Sequence, residues 1–311
     1  VLVPSCGNLP SRIPVQRSDS EKDQSAMGVC ESIAAEVCPE LYLQTAMDAK
    51  LSTASVWNDM GRARGCNDCF KTALELEPNF AAAWNNLGST GGGIVAGRAY
   101  APKECFLKAL ALAPRSASAW NNLGTAGGGE LAGRLYTKKA CYFKAIELEP
   151  KYAAAWGNLG SAGGGDVAGT SYDRKGCFQK ALELQPECAC AWNNVGTAGG
   201  CKLFGRPYSD RECYARALEL RLDFASAWKN LGGAGGGKVS GRAYKAGECY
   251  AKALEFEPDC AQCWSGVASA GGGSVAGRSH TKAECLHKAM ELNPKLAFTW
   301  YTPAQVKSSD E

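Results

Sequence analysis

Charge of either sign is scarcely in excess: 34 basic residues stand against 31 acidic ones, a net charge of +3 over 311 residues. So small a surplus gives no ground for expecting a nucleic acid or a membrane surface as partner. Histidine is nearly missing, with only His280 and His287, which argues against a catalytic set built on imidazole. No apolar run approaches the roughly 20 residues of a membrane helix. The opening run Val1-Leu2-Val3 stops at Pro4, too soon for a signal peptide. There is no Asn-x-Ser/Thr sequon, no G-x-x-x-x-G-K-[ST] phosphate loop and no nucleophile–base motif. The chain begins with Val1 rather than Met, as expected of a fragment or a processed product.

Glycine and cysteine, by contrast, are plentiful, at 37 and 16 residues. Both recur in register. Cys69, Cys105, Cys141, Cys177, Cys213, Cys249 and Cys285 are spaced 36 apart. They mark one structural position rather than a set of pairs. Packed helix axes lie about 8–10 Å apart, with another helix between equivalent positions, whereas a disulfide needs Cα atoms within about 7 Å. Seven small buried thiols are therefore expected, which implies a reducing compartment, the cytoplasm.

Tryptophan keeps the same period, at Trp84, Trp120, Trp156, Trp192, Trp228, Trp264 and Trp300. The unit reads A-x-A-W-N-N-L-G-x-x-G-G-G-x-V-x-G-R-x-Y-x-x-x-x-C-[FY]-x-K-A-L-E-L-x-P. Trp84 and Leu87 share one face of a first helix, A, with Gly88 beside them to allow close approach. Gly91-Gly92-Gly93 ends it, since each glycine costs a helix about 1 kcal/mol. A second helix, B, starts after Tyr100. Thr137, Asp173, Ser209 and Thr281 fall at its cap, Ser209…Glu212 and Thr281…Glu284 fit a capping box, and Pro102 sits at the first helical position. Cys105, Ala109 and Leu112 form its stripe, and Pro114, Pro150, Pro186, Pro258 and Pro294 forbid its continuation. Leu222 stands where one such proline is expected, so that junction is expected to differ.

W-N-N-L-G followed by [FY]-x-K-A-L-E-L-x-P resembles the tetratricopeptide (TPR) repeat. The likeness spans about residues 42–300 and departs from the family in a unit of 36 rather than 34 residues and in the glycine-rich segment between the helices. It implies an all-α fold, a right-handed α-solenoid of antiparallel helix pairs with glycine-rich loops between helices A and B. Its expected extent is residues 26–302, about seven repeats with the first degenerate and the last incomplete. Residues 1–25 are expected to be a disordered tail, residues 26–38 a short covering helix, and residues 303–311 a C-terminal tail. No polar capping helix follows Trp300, as expected of a truncated solenoid. Between Trp57 and Cys69 nine residues fewer than elsewhere leave either a tight turn or a fused helix.

Several features have residue types that sites use. Gly91-x-Gly93-x-x-x-Gly97 looks loosely like a dinucleotide fingerprint, but a helix rather than a strand precedes it and it recurs in six units, so chain turning is the expected role. Val95, Leu131, Val167, Leu203, Val239 and Val275, with Tyr100, Tyr136, Tyr172, Tyr208 and Tyr244, are expected to pin this segment to a neighbouring repeat. Arg98, Arg134, Arg206, Arg242 and Arg278 follow the last glycine, broken by Thr170. They form either a basic edge for acidic protein or RNA or a solvated row. Cys66-x-x-Cys69 and Cys260-x-x-Cys263 have metal-like spacing, yet packing explains Cys260 and Cys188 without a metal. No cofactor, metal or small-molecule substrate is expected.

Asn85, Asn86 and Ser89 fall on the arc of helix A away from Trp84 and Leu87. Asn86, Asn122, Asn158, Asn194 and Asn230 recur at one place, broken by Gly266, and Asn85, Asn121 and Asn193 precede three of them. The row is similar to the asparagine ladder in the TPR superhelix of O-GlcNAc transferases. That resemblance implies a groove in which amide side chains, both donors and acceptors, hold the backbone of an extended peptide. The alternative is that these amides bond within the solenoid. The function so implied is a non-enzymatic scaffold that binds protein or peptide. The other readings are the repeat region of a larger enzyme, such as a glycosyltransferase, and an RNA-binding array.

Overall fold

The computed structural model describes residues 53–296, in two compact units that divide after Pro78. The expected N-terminal tail, covering helix, incomplete last repeat and C-terminal tail lie outside the described residues. In the first unit α1 (Ala54–Arg64) and α2 (Asn67–Leu76) form a helix pair. The two are separate, not fused. Gly65 caps α1 in the left-handed conformation (φ 64°) and turns the chain at once into Cys66. A side chain on Gly61 would strike the Phe70 ring at 2.5 Å, so α1 and α2 meet where Gly61 leaves room.

The second unit is six copies of one module. Its A helices are α3 (Ala81–Ser89), α5 (Ala117–Thr125), α7 (Ala153–Ser161), α9 (Ala189–Thr197), α11 (Ala225–Gly233) and α13 (Ala261–Ser269). Its B helices are α4 (Pro102–Leu112), α6 (Lys138–Leu148), α8 (Arg174–Leu184), α10 (Asp210–Leu220), α12 (Ala246–Phe256) and α14 (Lys282–Leu292). The segment expected as a loop is a β-hairpin in every module, beginning with β1 (Gly93–Val95) and β2 (Arg98–Tyr100). The fold is thus a helical repeat with strands, not all-α. Ala96 (φ 48°) and Gly97 (φ 78°) make the two-residue turn. Two left-handed residues are what a type I′ turn needs to match the twist of its strands. The preceding Gly92 is also left-handed, and a Cβ there would collide with the Tyr100 carbonyl oxygen.

Within a module, A packs on B through Gly88, where a Cβ would lie 2.6 Å from the Phe106 ring. Trp84, Trp120, Trp156, Trp192, Trp228 and Trp264 are all buried. The Trp120 indole N–H donates to the Pro114 carbonyl at 2.8 Å, and later modules repeat the bond. Trp228 makes it to Leu222 at 2.7 Å, so the junction without proline does not differ in this bond. The hairpin tyrosine turns back onto its own module, Tyr100 meeting Trp84 with ring centroids 4.7 Å apart. It pins the hairpin there rather than to a neighbour. Neighbour contact comes from the opposite strand, whose Leu203, Val239 and Val275 are buried in the shared core, and from each later hairpin packing on the preceding B helix. Thr137, Asp173, Ser209 and Thr281 each accept an N–H at the start of B, as their residue type predicts.

Candidate functional site

Consecutive A helices touch along their asparagines. Asn122 Nδ2 donates to Asn85 Oδ1 at 3.0 Å, Asn158 to Asn121 at 2.8 Å, and Asn230 to Asn193 at 2.9 Å. The rule is simple. The second amide of one module reaches the first amide of the module before it, wherever both are present. Asn194 meets Gly157 instead, and Gly266 has no amide to offer Lys229. Asn122 also donates to Ser89 Oγ at 3.2 Å.

Burial sorts the two asparagines into different parts. Asn121 and Asn193 are only 5% and 7% exposed, although a single helix viewed alone puts them on the open arc. Their surroundings come from the next A helix, which a one-helix projection leaves out. Asn122, Asn158, Asn194 and Asn230 are half-buried. In Asn158 and Asn230 the bond uses one N–H of the second amide and leaves the other N–H and the oxygen lone pairs, whereas Asn122 gives its N–H groups to Asn85 and Ser89 and keeps one oxygen lone pair beside the Asn121 contact. The first amide therefore fixes the orientation of the second.

Gly266 breaks the row for a visible reason. The Tyr250 ring occupies that place, and any Cβ on Gly266 would overlap it. Every B-helix aromatic that follows a row cysteine lies over the glycine of its own module, and Tyr250 lies over both Gly232 and Gly266, whereas the last module has Ala268 and Leu286 at the equivalent places.

The arginine row lies on the second strand of each hairpin. Arg98, Arg134, Arg206 and Arg242 stack over the tyrosine two residues on, 4.7–5.1 Å from the ring centroid. Arg98 and Arg206 also face Glu104 and Glu212 at 3.5 and 3.0 Å. Glu212 is held below the usual carboxylate range by the Ser209 backbone N–H, the Ser209 hydroxyl and Arg206. Arg278 is followed by His280, which takes the tyrosine's place against Trp264. These pairings are exposed and each is worth little, but they offset the charge of the row. Two open grooves lie between consecutive hairpins, one lined by Arg242, Glu248 and Lys252, the other by Arg206, Glu212 and Lys238. Neither contains a row asparagine.

The row cysteines are buried thiols. Burial pushes Cys105, Cys141 and Cys177 up to about 11, and Cys213 and Cys249 up to about 12. Among the described residues no cluster of three or more His, Cys, Asp or Glu side chains could hold a metal. No helix there is long and apolar enough to cross a membrane.

No protein-family model matches the chain, and no curated protein matches it.

Proposed function

We propose that the chain is a TPR-like, right-handed solenoid of the reducing cytoplasm. It works without catalysis, as a scaffold holding an extended peptide or protein segment along its A helices. The observation that carries this reading is the register of half-buried amides. Asn122, Asn158, Asn194 and Asn230 recur once per module, and three of them are oriented by an amide of the module before, which is buried for Asn158 and Asn230. Spare donors and acceptors held at a regular interval suit a peptide backbone, which repeats the same groups and needs no sequence-specific pocket. Preorganised amides also cost less entropy on binding. Asn122, Asn158, Asn194 and Asn230 would touch the peptide, with Asn86 as the first member of the row, while Asn85, Asn121 and Asn193 would position them. The RNA reading draws less support, because Arg98 and Arg206 already face carboxylates and four of the five arginines stack on tyrosine.

Asn194 gives the clean test. Its amide meets glycine across the module boundary, so Asn194→Ala removes a binding group without breaking an inter-module bond. A random peptide library selected against the full chain supplies the ligand. Affinity for a selected peptide should fall about tenfold in Asn194→Ala, the loss of one or two hydrogen bonds, with the melting curve unchanged. Full affinity in Asn194→Ala and in Asn122→Ala/Asn194→Ala would sink the peptide-ladder reading.

A further inference from the structure

Cys260 and Cys263 stand outside the packing rule of the cysteine row. The five sister modules carry alanine at the place of Cys263, namely Ala83, Ala119, Ala155, Ala191 and Ala227. Cys260 is the N-cap of α13, with extended backbone (φ −82°, ψ 92°), and its Sγ accepts the Cys263 N–H at 3.3 Å. The two sulfurs lie 2.6 Å apart. Cys260 is partly exposed, whereas Cys263 is 1% exposed. An N-cap residue and the third helical residue are one turn apart, within the roughly 4.4–6.8 Å Cα separation of disulfides. No backbone movement is needed to join them.

We propose that Cys260 and Cys263 form a redox-active dithiol that closes reversibly to a disulfide by exchange with a small aliphatic disulfide of the glutathione type. The exposed Cys260 thiolate attacks one sulfur of R–S–S–R, forming Cys260–S–S–R and expelling R–S⁻, which takes up a proton from water. Cys263 then gives its proton to solvent. Its sulfur attacks Cys260 Sγ, closing the intramolecular disulfide and expelling the second R–S⁻. The dithiol loses two electrons and two protons, and R–S–S–R becomes two R–SH. The burial of Cys263 keeps it from outside reagents and leaves Cys260 as its only neighbouring target.

The electrostatics divide the two roles the same way. Cys260 is lowered to about 6, chiefly by its bond with the Cys263 side chain, with help from the Cys263 backbone N–H and from Lys229, against burial and Glu257. Cys263 is raised, by the same side-chain bond and by burial. A cysteine at a helix N-terminus in a Cys-x-x-Cys motif is where such reactivity is found. The first unit repeats the arrangement from the other side. Cys66 stands at the N-cap position of α2, without the side-chain cap bond that Cys260 makes, and its thiol is lowered chiefly by Cys69, a buried member of the row.

Trypsin would release residues 253–278 with Cys260 and Cys263 as their only cysteines, and residues 65–71 with only Cys66 and Cys69. The full chain is equilibrated with reduced and oxidised glutathione, quenched by alkylation, digested and weighed. Peptide 253–278 should lose two hydrogens and escape alkylation as the oxidised fraction rises. Cys263→Ser should instead trap glutathione on Cys260, and Cys260→Ser should leave Cys263 a free thiol. In the reduced protein at pH 6, Cys260 should react with iodoacetamide roughly tenfold faster than a free peptide thiol. That factor weighs its larger thiolate fraction against its lower intrinsic nucleophilicity. Peptide 253–278 staying doubly alkylated in oxidised glutathione, in wild-type protein with an unchanged circular dichroism spectrum, would overturn the proposal. So would an alkylation rate no higher than that of the free thiol.

Discussion

Asn158 and Asn194 occupy the same place in consecutive modules, yet only Asn158 finds an amide across the boundary. The difference lies in the partner. Asn121 offers an oxygen and Gly157 offers nothing. Removing each should therefore have a different cost. Asn158→Ala leaves the buried Asn121 oxygen without its donor, at about 1–3 kcal/mol, while Asn194→Ala should be near neutral for folding. The converse substitution should repair the gap. A Cβ on Gly157 meets only Ala181 Cβ, at 4.0 Å, so Gly157→Asn fits. It should add about 1 kcal/mol, from one net hydrogen bond and a better helix former. Urea unfolding of the three variants measures all of this, and a Gly157→Asn protein no more stable than wild type would show that the bond does not form. The existence of an asparagine row was legible in the sequence. Its bonding was not, because a helical projection knows one helix and these amides are satisfied by the next one.

The hairpins are the element the sequence hid. Their V-x-G-R-x-Y strands alternate, and two residues separate Val95 from Arg98, which is the spacing of a type I′ hairpin. The signal was muted because the first turn residue is alanine in four modules rather than asparagine or aspartate, and because Gly91-Gly92-Gly93 reads as a loop. Helix A, helix B, the B-helix caps and the proline stop were legible, since each depends on local chemistry, but the apolar stripe of B ends on the buried Leu110 and not on Leu112, which is 42% exposed. The turn alanines carry a penalty, because a left-handed non-glycine residue costs about 1–2 kcal/mol. Phe204 is the extreme case, with φ 48° and 75% exposure. Little packing holds it, so the strain can be relieved without loss. Phe204→Asn should raise the melting temperature by about 2–4 °C per kcal/mol recovered. Phe204→Val should lower it, because a β-branched residue tolerates positive φ least. Equal melting points for the two would remove the strain argument.

At the scale of the molecule, the cysteine row makes stability depend on alkaline pH. The 36-residue spacing marked these positions as buried, and Cys105, Cys141, Cys177, Cys213, Cys249 and Cys285 are all 0% exposed. Burial disfavours the thiolate, which lifts five of them from an ordinary 9.0 to about 11 or 12. The sign follows from the protons bound. Above pH 9 the unfolded chain has released these protons and the folded chain still holds them, so the unfolded state binds fewer and stability falls as pH rises. It is fully present below 9 and lost between the ordinary and the raised values. Each fully buried thiol contributes a slope of about 1.4 kcal/mol per pH unit across that window. Tyr142, Tyr152, Tyr214 and Tyr250 are raised by burial too and act in the same direction. Several such groups against a typical stability of about 5–15 kcal/mol mean that reduced protein should unfold within a pH unit or two above 9. Circular dichroism across pH 8–12 in reductant checks the midpoint. Cys141→Ala isolates one thiol, because alanine fits the small buried site and cannot titrate. Its unfolding free energy from urea melts should fall less steeply between pH 9 and 11, by the slope of one proton. An unchanged slope would mean that the Cys141 thiol titrates alike in the folded and unfolded chain, and that burial of the row carries no alkaline penalty.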